Sequence, residues 1–206
     1  VSLGVDYLAV AYIEEGVRLR KAGIQIPILV FYPQLEEIKQ LLDYKLIPSI
    51  YNLRYLKLLN ASLKVEAAVD FPIHLKINTG LNRLGFDITE LEAAYHEIER
   101  AKHIKIVGIF SHLAASGNQA EIEFTQQQIS NFEVARQFFQ EKYGEQLITH
   151  LCNSSGIFNY PQAEYDMVRV GIALYGYGNN ELEHQQLKPI SSLKTVITQL
   201  REIQKN

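Results

Sequence analysis

The chain has 206 residues, 47% hydrophobic and 21% charged, which supplies apolar material for a large core and rules out a disordered chain. A net charge of −3 argues against a nucleic-acid or anionic-membrane surface as the main partner, and no apolar run approaches the ~20 residues that span a bilayer. A single cysteine, Cys152, excludes an internal disulfide and fits a reducing cytoplasm. The opening Val1-Ser2-Leu3-Gly4 has no signal-like basic or apolar region and no initiator Met, so a preceding N-terminal piece is an open expectation.

The predicted elements alternate. Residues 7–11 read as a strand, and 13–22 as a helix closed by Gly23. A strand at 28–31 follows Pro27, then a helix at 35–44, a strand at 47–50 and a helix at 53–62. Residues 71–77 form a fourth strand. Thr89 and Glu92 have capping-box spacing ahead of a helix whose apolar face is Leu91, Ala94, Tyr95 and Ile98. A fifth strand at 104–110 leads through a polar loop at Ser116-Gly117-Asn118 into a long helix at 123–143. That helix turns Phe124, Ile129, Phe132, Ala135 and Phe139 toward the core. Strands at 147–151 and 166–169 complete the series.

This alternation implies a parallel sheet with helices outside it, an α/β fold. No Gly-rich phosphate turn follows the first strand, which disfavours an open doubly wound sheet. Polar residues gather instead at the C-terminal ends of successive strands, as in a (β/α)8 TIM barrel. Seven strands are one short of closure, so the first is expected upstream of Val1. After a polar loop at 178–186, residues 189–197 read as a strand of a second, antiparallel domain. The expected organisation is a partial barrel over 1–178 and the start of a β-domain over 187–206.

Three strand-end clusters carry the chemistry. In the first, Lys76 pointing inward would need an anion, and Arg83 in the following turn suits a carboxylate; a solvated Lys and Arg on a surface loop is the competing reading. The second, His150-Leu151-Cys152-Asn153-Ser154-Ser155-Gly156, offers hydroxyls and backbone N–H groups to an anion, or simply caps a helix. In the third, Arg169 leaves the last strand and Gly171, before Ile172, lets backbone approach a ligand. The last two clusters follow the last two strands, where barrel enzymes commonly bind phosphate. His112 is a further strand-end candidate. No His/Cys/Asp/Glu spacing suggests a metal site.

At this point the chain resembles the alanine racemases over nearly its whole length. The resemblance rests on residues 75–86 (LKINTGLNRLGF), 108–114 (GIFSHLA), Asn153-Ser154-Ser155-Gly156 and 166–176 (DMVRVGIALYG), in this order and spacing. It implies a barrel joined to a C-terminal β-domain, a homodimer, pyridoxal 5'-phosphate as cofactor, and alanine as substrate in making D-alanine for peptidoglycan. In some bacteria such a racemase is fused behind a cell-wall ligase, and this chain could come from such a fusion.

Residue by residue, Asn153 and Ser154 with the backbone of Gly171 and Ile172 resemble the cofactor-phosphate cradle. Arg169 resembles the arginine at the pyridine nitrogen, His150 the histidine that holds it, and His112 a member of the polar network around the cofactor. Arg83 and Lys76 resemble the substrate-carboxylate arginine and a neighbouring lysine often found as a carbamate. The family's Schiff-base lysine and opposite-face tyrosine have no counterpart here, so no catalytic residue is assigned and the chain alone is expected to be inactive. Asn78 stands where an Asp is common. The alternatives are a pyridoxal-phosphate carrier protein, a related decarboxylase, a racemase for another amino acid, or a non-enzymatic scaffold. Arg169 disfavours a decarboxylase, and the intact set of site residues disfavours a scaffold.

Overall fold

The computed structural model describes residues 4–203. The first three and last three residues of the two expected domain ranges lie outside them. Six strands form one sheet in sequential order: β1 (Leu8–Val10), β2 (Ile28–Val30), β3 (Ile47–Ile50), β4 (Phe71–Lys76), β5 (Ile104–Phe110) and β6 (Ile148–His150). Every neighbouring pair is parallel, so each connection must cross over, and helices supply the crossovers. The sheet curls into half of a barrel wall.

The helices are α1 (Ile13–Lys21), α2 (Ile38–Asp43), α3 (Leu53–Val65), α4 (Leu91–Arg100), α5 (Ile122–Tyr143), α6 (Ser154–Asn159) and α7 (Glu181–Gln185). Their apolar stripes pack on the outer face of the sheet. Leu56, Leu59 and Leu63 of α3 and Phe132, Ala135 and Phe139 of α5 are buried in one cluster with Ile73, Leu75 and Ile77. Gly23 closes α1 as expected, with a positive φ of 89° and its N–H on Arg20 O.

Several expectations need correction. Residues 166–169 make no ladder: Asp166 and Arg169 donate backbone N–H to Thr149 O and Cys152 O beside β6, but the pairing does not continue. The capping box lies two residues earlier than expected, with Asp87 N–H bound to Glu90 Oε2, because a 3-10 turn at Ile88–Glu90 precedes α4. On α5 the buried face starts with the polar Thr125 and Gln128, while Phe124 is 38% exposed. The loop expected at 178–186 contains α7, whose Glu183 is buried. The strand expected at 189–197 takes no regular form: a strand needs a partner edge, and among the described residues none lies beside it. Leu193, Ile197 and Leu200 are exposed there.

One turn positions the first chemical cluster. After β4 the chain loops out and returns so that Phe86 N–H binds Lys76 O and Asn78 N–H binds Phe86 O. Gly85 makes the return with φ 129°, and a Cβ there would stand 2.6 Å from Asn78 N and 2.7 Å from Ile77 C. Both are backbone atoms and cannot yield. Gly85→Ala is therefore expected to destabilise the protein by about 2–3 kcal/mol, read as a lower urea midpoint at unchanged slope.

Candidate functional site

The inner face of the strand ends is built in rows. Lys76, Phe110 and His150 are register partners across β4, β5 and β6. Period-two alternation sends Ile73, Leu75 and Ile77 outward under the helices and leaves His74 and Lys76 facing inward. Lys76 is 5% exposed, so the surface-loop reading of this lysine fails. Its Nζ stands 5.6 Å from the centre of the Phe110 ring, and the Arg169 guanidinium stands 5.5 Å from that ring. Phe110 also stacks on His150 at 4.8 Å and 6°.

Arg169 is the organising group. Its Nη2 donates to Ser111 O at 2.6 Å and Leu151 O at 3.0 Å, and its Nη1 donates to His150 Nδ1 at 2.7 Å. His112 Nδ1 is 3.5 Å from the same guanidinium, at the outer limit of a hydrogen bond. Among the described residues, none of Arg169, Lys76 and Arg83 takes part in an ion pair. The site thus gathers positive charge that no carboxylate among the described residues pairs.

Titration follows from that crowding. Burial, then the charges of Arg83 and Arg169, pushes the Lys76 amine down to about 8. Burial and then Arg169 push His74 down to about 3; burial and then Arg169, Lys76 and Arg83 push His112 down to about 4. His150 lies well below its ordinary range, through burial and then Arg169. Burial lowers Arg169 to about 10, which still leaves it protonated at neutral pH. At pH 7 the cluster is therefore neutral imidazoles around cationic arginines and a lysine mostly charged.

Arg83 is exposed on the turn after β4, at the mouth. Asn78 shapes that turn: its Oδ1 accepts from Gly80 N–H and Asn82 N–H, and its Nδ2 donates to Asn82 and Asp87. An Asp at 78 would set a carboxylate against Asp87 at 2.7 Å, so the amide suits this turn. A one-way chain anchors it from behind. Gln128 Nε2 donates to Thr79, Thr79 to Ser111, and Ser111 to Ile77 O.

On the other side, Ser154 Oγ accepts from Gly171 N–H at 2.9 Å and Ala173 N–H at 3.3 Å, drawing the 169–173 segment over the start of α6. Asn153 caps α6 through Gly156 N–H and donates to Leu113 O, so its amide shapes the wall. A Cβ on Gly171 would meet nothing within 4 Å. Packing does not demand this glycine; the space above it is open. His112, Ser154, Arg169, Gly171 and Ile172 line one cleft of about 360 Å³ with Phe31 and Asn179. A larger hollow of about 650 Å³ lies at the N-terminal ends of β5 and β6, the end where barrels place stability rather than chemistry.

The structure therefore brings together Lys76, His112, His150, Ser154 and Arg169, with Gly171 and Ile172 at the cleft and Arg83 at its rim. Sequence reasoning missed His74, Phe110 and Glu183. His74 had a signal, its shared face with Lys76. Glu183 had none, since only folding brings it to Ser155, Asn159, Asn179 and Asn180.

The alanine racemase N-terminal domain family matches residues 1–179. The chain belongs to the alanine racemase N-terminal domain family. It is 36% identical to an alanine racemase of Treponema denticola, covering 100% of this chain and 55% of that protein. It is 35% identical to one from Thermodesulfovibrio yellowstonii, covering 98% and 52%. A solved alanine racemase of Clostridium difficile 630 superposes with TM-score 0.82 at 30% identity, covering 91% of this chain and 50% of that one. The chain spans about half the length of the curated alanine racemases it matches. Among its described residues no helix is long and apolar enough to cross a membrane, and no group of His, Cys, Asp and Glu could hold a metal ion.

Proposed function

We propose that this chain is the barrel part of an alanine racemase and that its strand-end cleft holds pyridoxal 5'-phosphate. One observation carries the reading: a largely buried guanidinium, Arg169, faces a cleft with no carboxylate partner among the described residues, beside the Ser154–Gly171 segment. The cofactor fits these residues. Its phosphate needs the backbone N–H groups and the hydroxyl that Ser154, Gly171 and Ile172 carry, and the open space above Gly171 gives it room. Asn153 holds the wall of that cradle, and His112 joins the cradle side to Arg169.

When bound, the cofactor supplies an electron sink for breaking the Cα–H bond of an amino acid. Arg169 can only donate, so it would hold the ring nitrogen by a hydrogen bond without giving it a proton, which would temper the sink. His150 holds Arg169 in place. Arg83 at the rim binds the substrate carboxylate. Lys76, with its pKa at about 8, keeps a reactive neutral fraction at neutral pH. Addition of CO2 to that amine, with loss of a proton, makes a carbamate anion that pairs with Arg83. No residue of this sequence is assigned to moving the substrate proton.

Alanine as the substrate, a homodimer in the complete enzyme, and a cytoplasmic location belong to the same proposal, as does a second domain starting at 187. The exposed Leu193, Ile197 and Leu200 support such a domain, because a run of exposed aliphatics calls for a covering surface.

The test uses the open position. Gly171→Ala adds a Cβ in the cleft that meets no protein atom within 4 Å, so the surrounding packing is expected to stay intact. Affinity for pyridoxal 5'-phosphate, followed by fluorescence and competed with inorganic phosphate, is expected to fall at least ~10-fold. Equal affinity in both proteins would overturn the placement.

A further inference from the structure

Across the inner face, over the middle of β5, two histidine rings meet. His74 Nδ1 of β4 and His150 Nε2 of β6 are 3.0 Å apart, and both residues are fully buried. The strand between them makes the space. A Cβ on Gly108 would stand 2.4 Å from His74 Cε1 and 2.5 Å from His74 Nδ1. The β4–β5 register shifts at Ile73/His74, which sets His74 against Gly108.

The hydrogen-bond roles are forced from one end. Arg169 has only donors, so His150 Nδ1, 2.7 Å from its Nη1, must be the unprotonated nitrogen. Neutral His150 then carries its proton on Nε2 and donates it to His74, whose Nδ1 accepts. His74 in turn holds its own proton on Nε2. That atom is buried with no hydrogen-bond partner. Among the described residues, the only aromatic neighbour of His74 besides His150 is Tyr7, edge-on at 6.1 Å. A leucine or phenylalanine would fill this place and remove the His74 Nε2 donor but strand the His150 Nε2–H, so packing alone does not account for a histidine. The nitrogen facing His150 does.

We propose that His74 is a positioning residue: it gives the buried His150 Nε2–H its acceptor, seats that ring between itself and Arg169, and so holds the guanidinium on the cleft. Its bearing on cofactor rests on the reading of Arg169 above. The seating of His150 itself does not.

The chain has six histidines, few enough for side-chain nitrogen NMR of the labelled protein. In the parent chain, His150 is expected with a proton-bearing Nε2 and a bare Nδ1, and Arg169 with resolved, slowly exchanging guanidinium protons. His74→Leu removes the stranded His74 donor but strands the His150 Nε2–H, so thermal stability is expected to change little, while the His150 Nε2 and Arg169 guanidinium proton signals are expected to shift and exchange faster and pyridoxal 5'-phosphate binding to weaken roughly tenfold. His74→Asn should restore all three, because its amide oxygen stands near the former Nδ1. His150 protonated on Nδ1 in the parent chain would overturn the proposal without any variant. So would unchanged His150 and Arg169 signals in His74→Leu. Intact signatures in a parent chain that fails to bind the cofactor would overturn the cofactor reading and leave the seating of His150 standing.

Discussion

Arg169→Glu in a complete enzyme carrying this chain is expected to lower the racemisation rate by on the order of 10²–10³-fold. The native guanidinium fills two carbonyls and one imidazole nitrogen, Ser111 O, Leu151 O and His150 Nδ1. A glutamate offers none of those three a donor. It also replaces a group that cannot give up its proton with one that stabilises a proton on the ring nitrogen. A protonated ring withdraws electrons more strongly and keeps the substrate's charge longer, which favours wrong reprotonation over return to the α-carbon. The assay should therefore follow two products: the mirror-image alanine, and pyruvate released by transamination. The first should fall and the second rise relative to it. Arg169→Lys separates charge from geometry, since it keeps the cation but has one nitrogen for the three acceptors. It is expected between the parent enzyme and Arg169→Glu. A glutamate variant that racemises at the parent rate would remove Arg169 from the chemistry.

The parts of this fold that show in the sequence are those with a period. Strands β1 to β6 and helices α1, α3 and α4 follow from apolar alternation and from Gly23, because both signals are local. The inward aim of Lys76 is equally local, being set by Ile73, Leu75 and Ile77 on the other face. What escaped depends on contacts between distant segments. Thr125 and Gln128 look like a solvated turn of α5, yet they are buried: Gln128 Nε2 donates to Thr79 Oγ1, and its Oε1 accepts from Ala114 N–H. Phe124 looks like core and instead covers Gly80 from outside. Residues 166–169 have strand-like side chains, but Asp166 turns its carboxylate onto Thr149 N–H and Oγ, one backbone bond reaches Thr149 O of β6, and another goes past its end to Cys152 O. His74 lies between these cases. Its face was legible; its partner, 76 residues away, was not.

Lys76 gives the last expectation, a pH dependence of stability opposite to the usual alkaline loss. Its folded pKa of about 8 lies below the ordinary lysine value of 10.5, chiefly through burial and then through Arg83 and Arg169. Between those values the unfolded chain binds more protons than the folded one, so this residue makes stability rise as pH increases from 8 to 10.5. Below 8 the cost of the buried ammonium is fully present, and above 10.5 it is gone. Lys76→Met keeps the length of the side chain and removes the charge. In CO2-free buffer it is expected to stabilise the protein by about 2–3 kcal/mol at pH 7, and by progressively less toward pH 10.5. Urea unfolding at both pH values measures the difference. Bicarbonate adds a second arm, since a carbamate on Lys76 replaces the crowded ammonium with an anion beside Arg83. Bicarbonate at pH 8 should therefore stabilise the parent protein and leave Lys76→Met unmoved. An equal response in both proteins would take the carbamate out of this site, while a gain from Lys76→Met that is the same at pH 7 and 10.5 would show that the amine carries no charge cost in the fold.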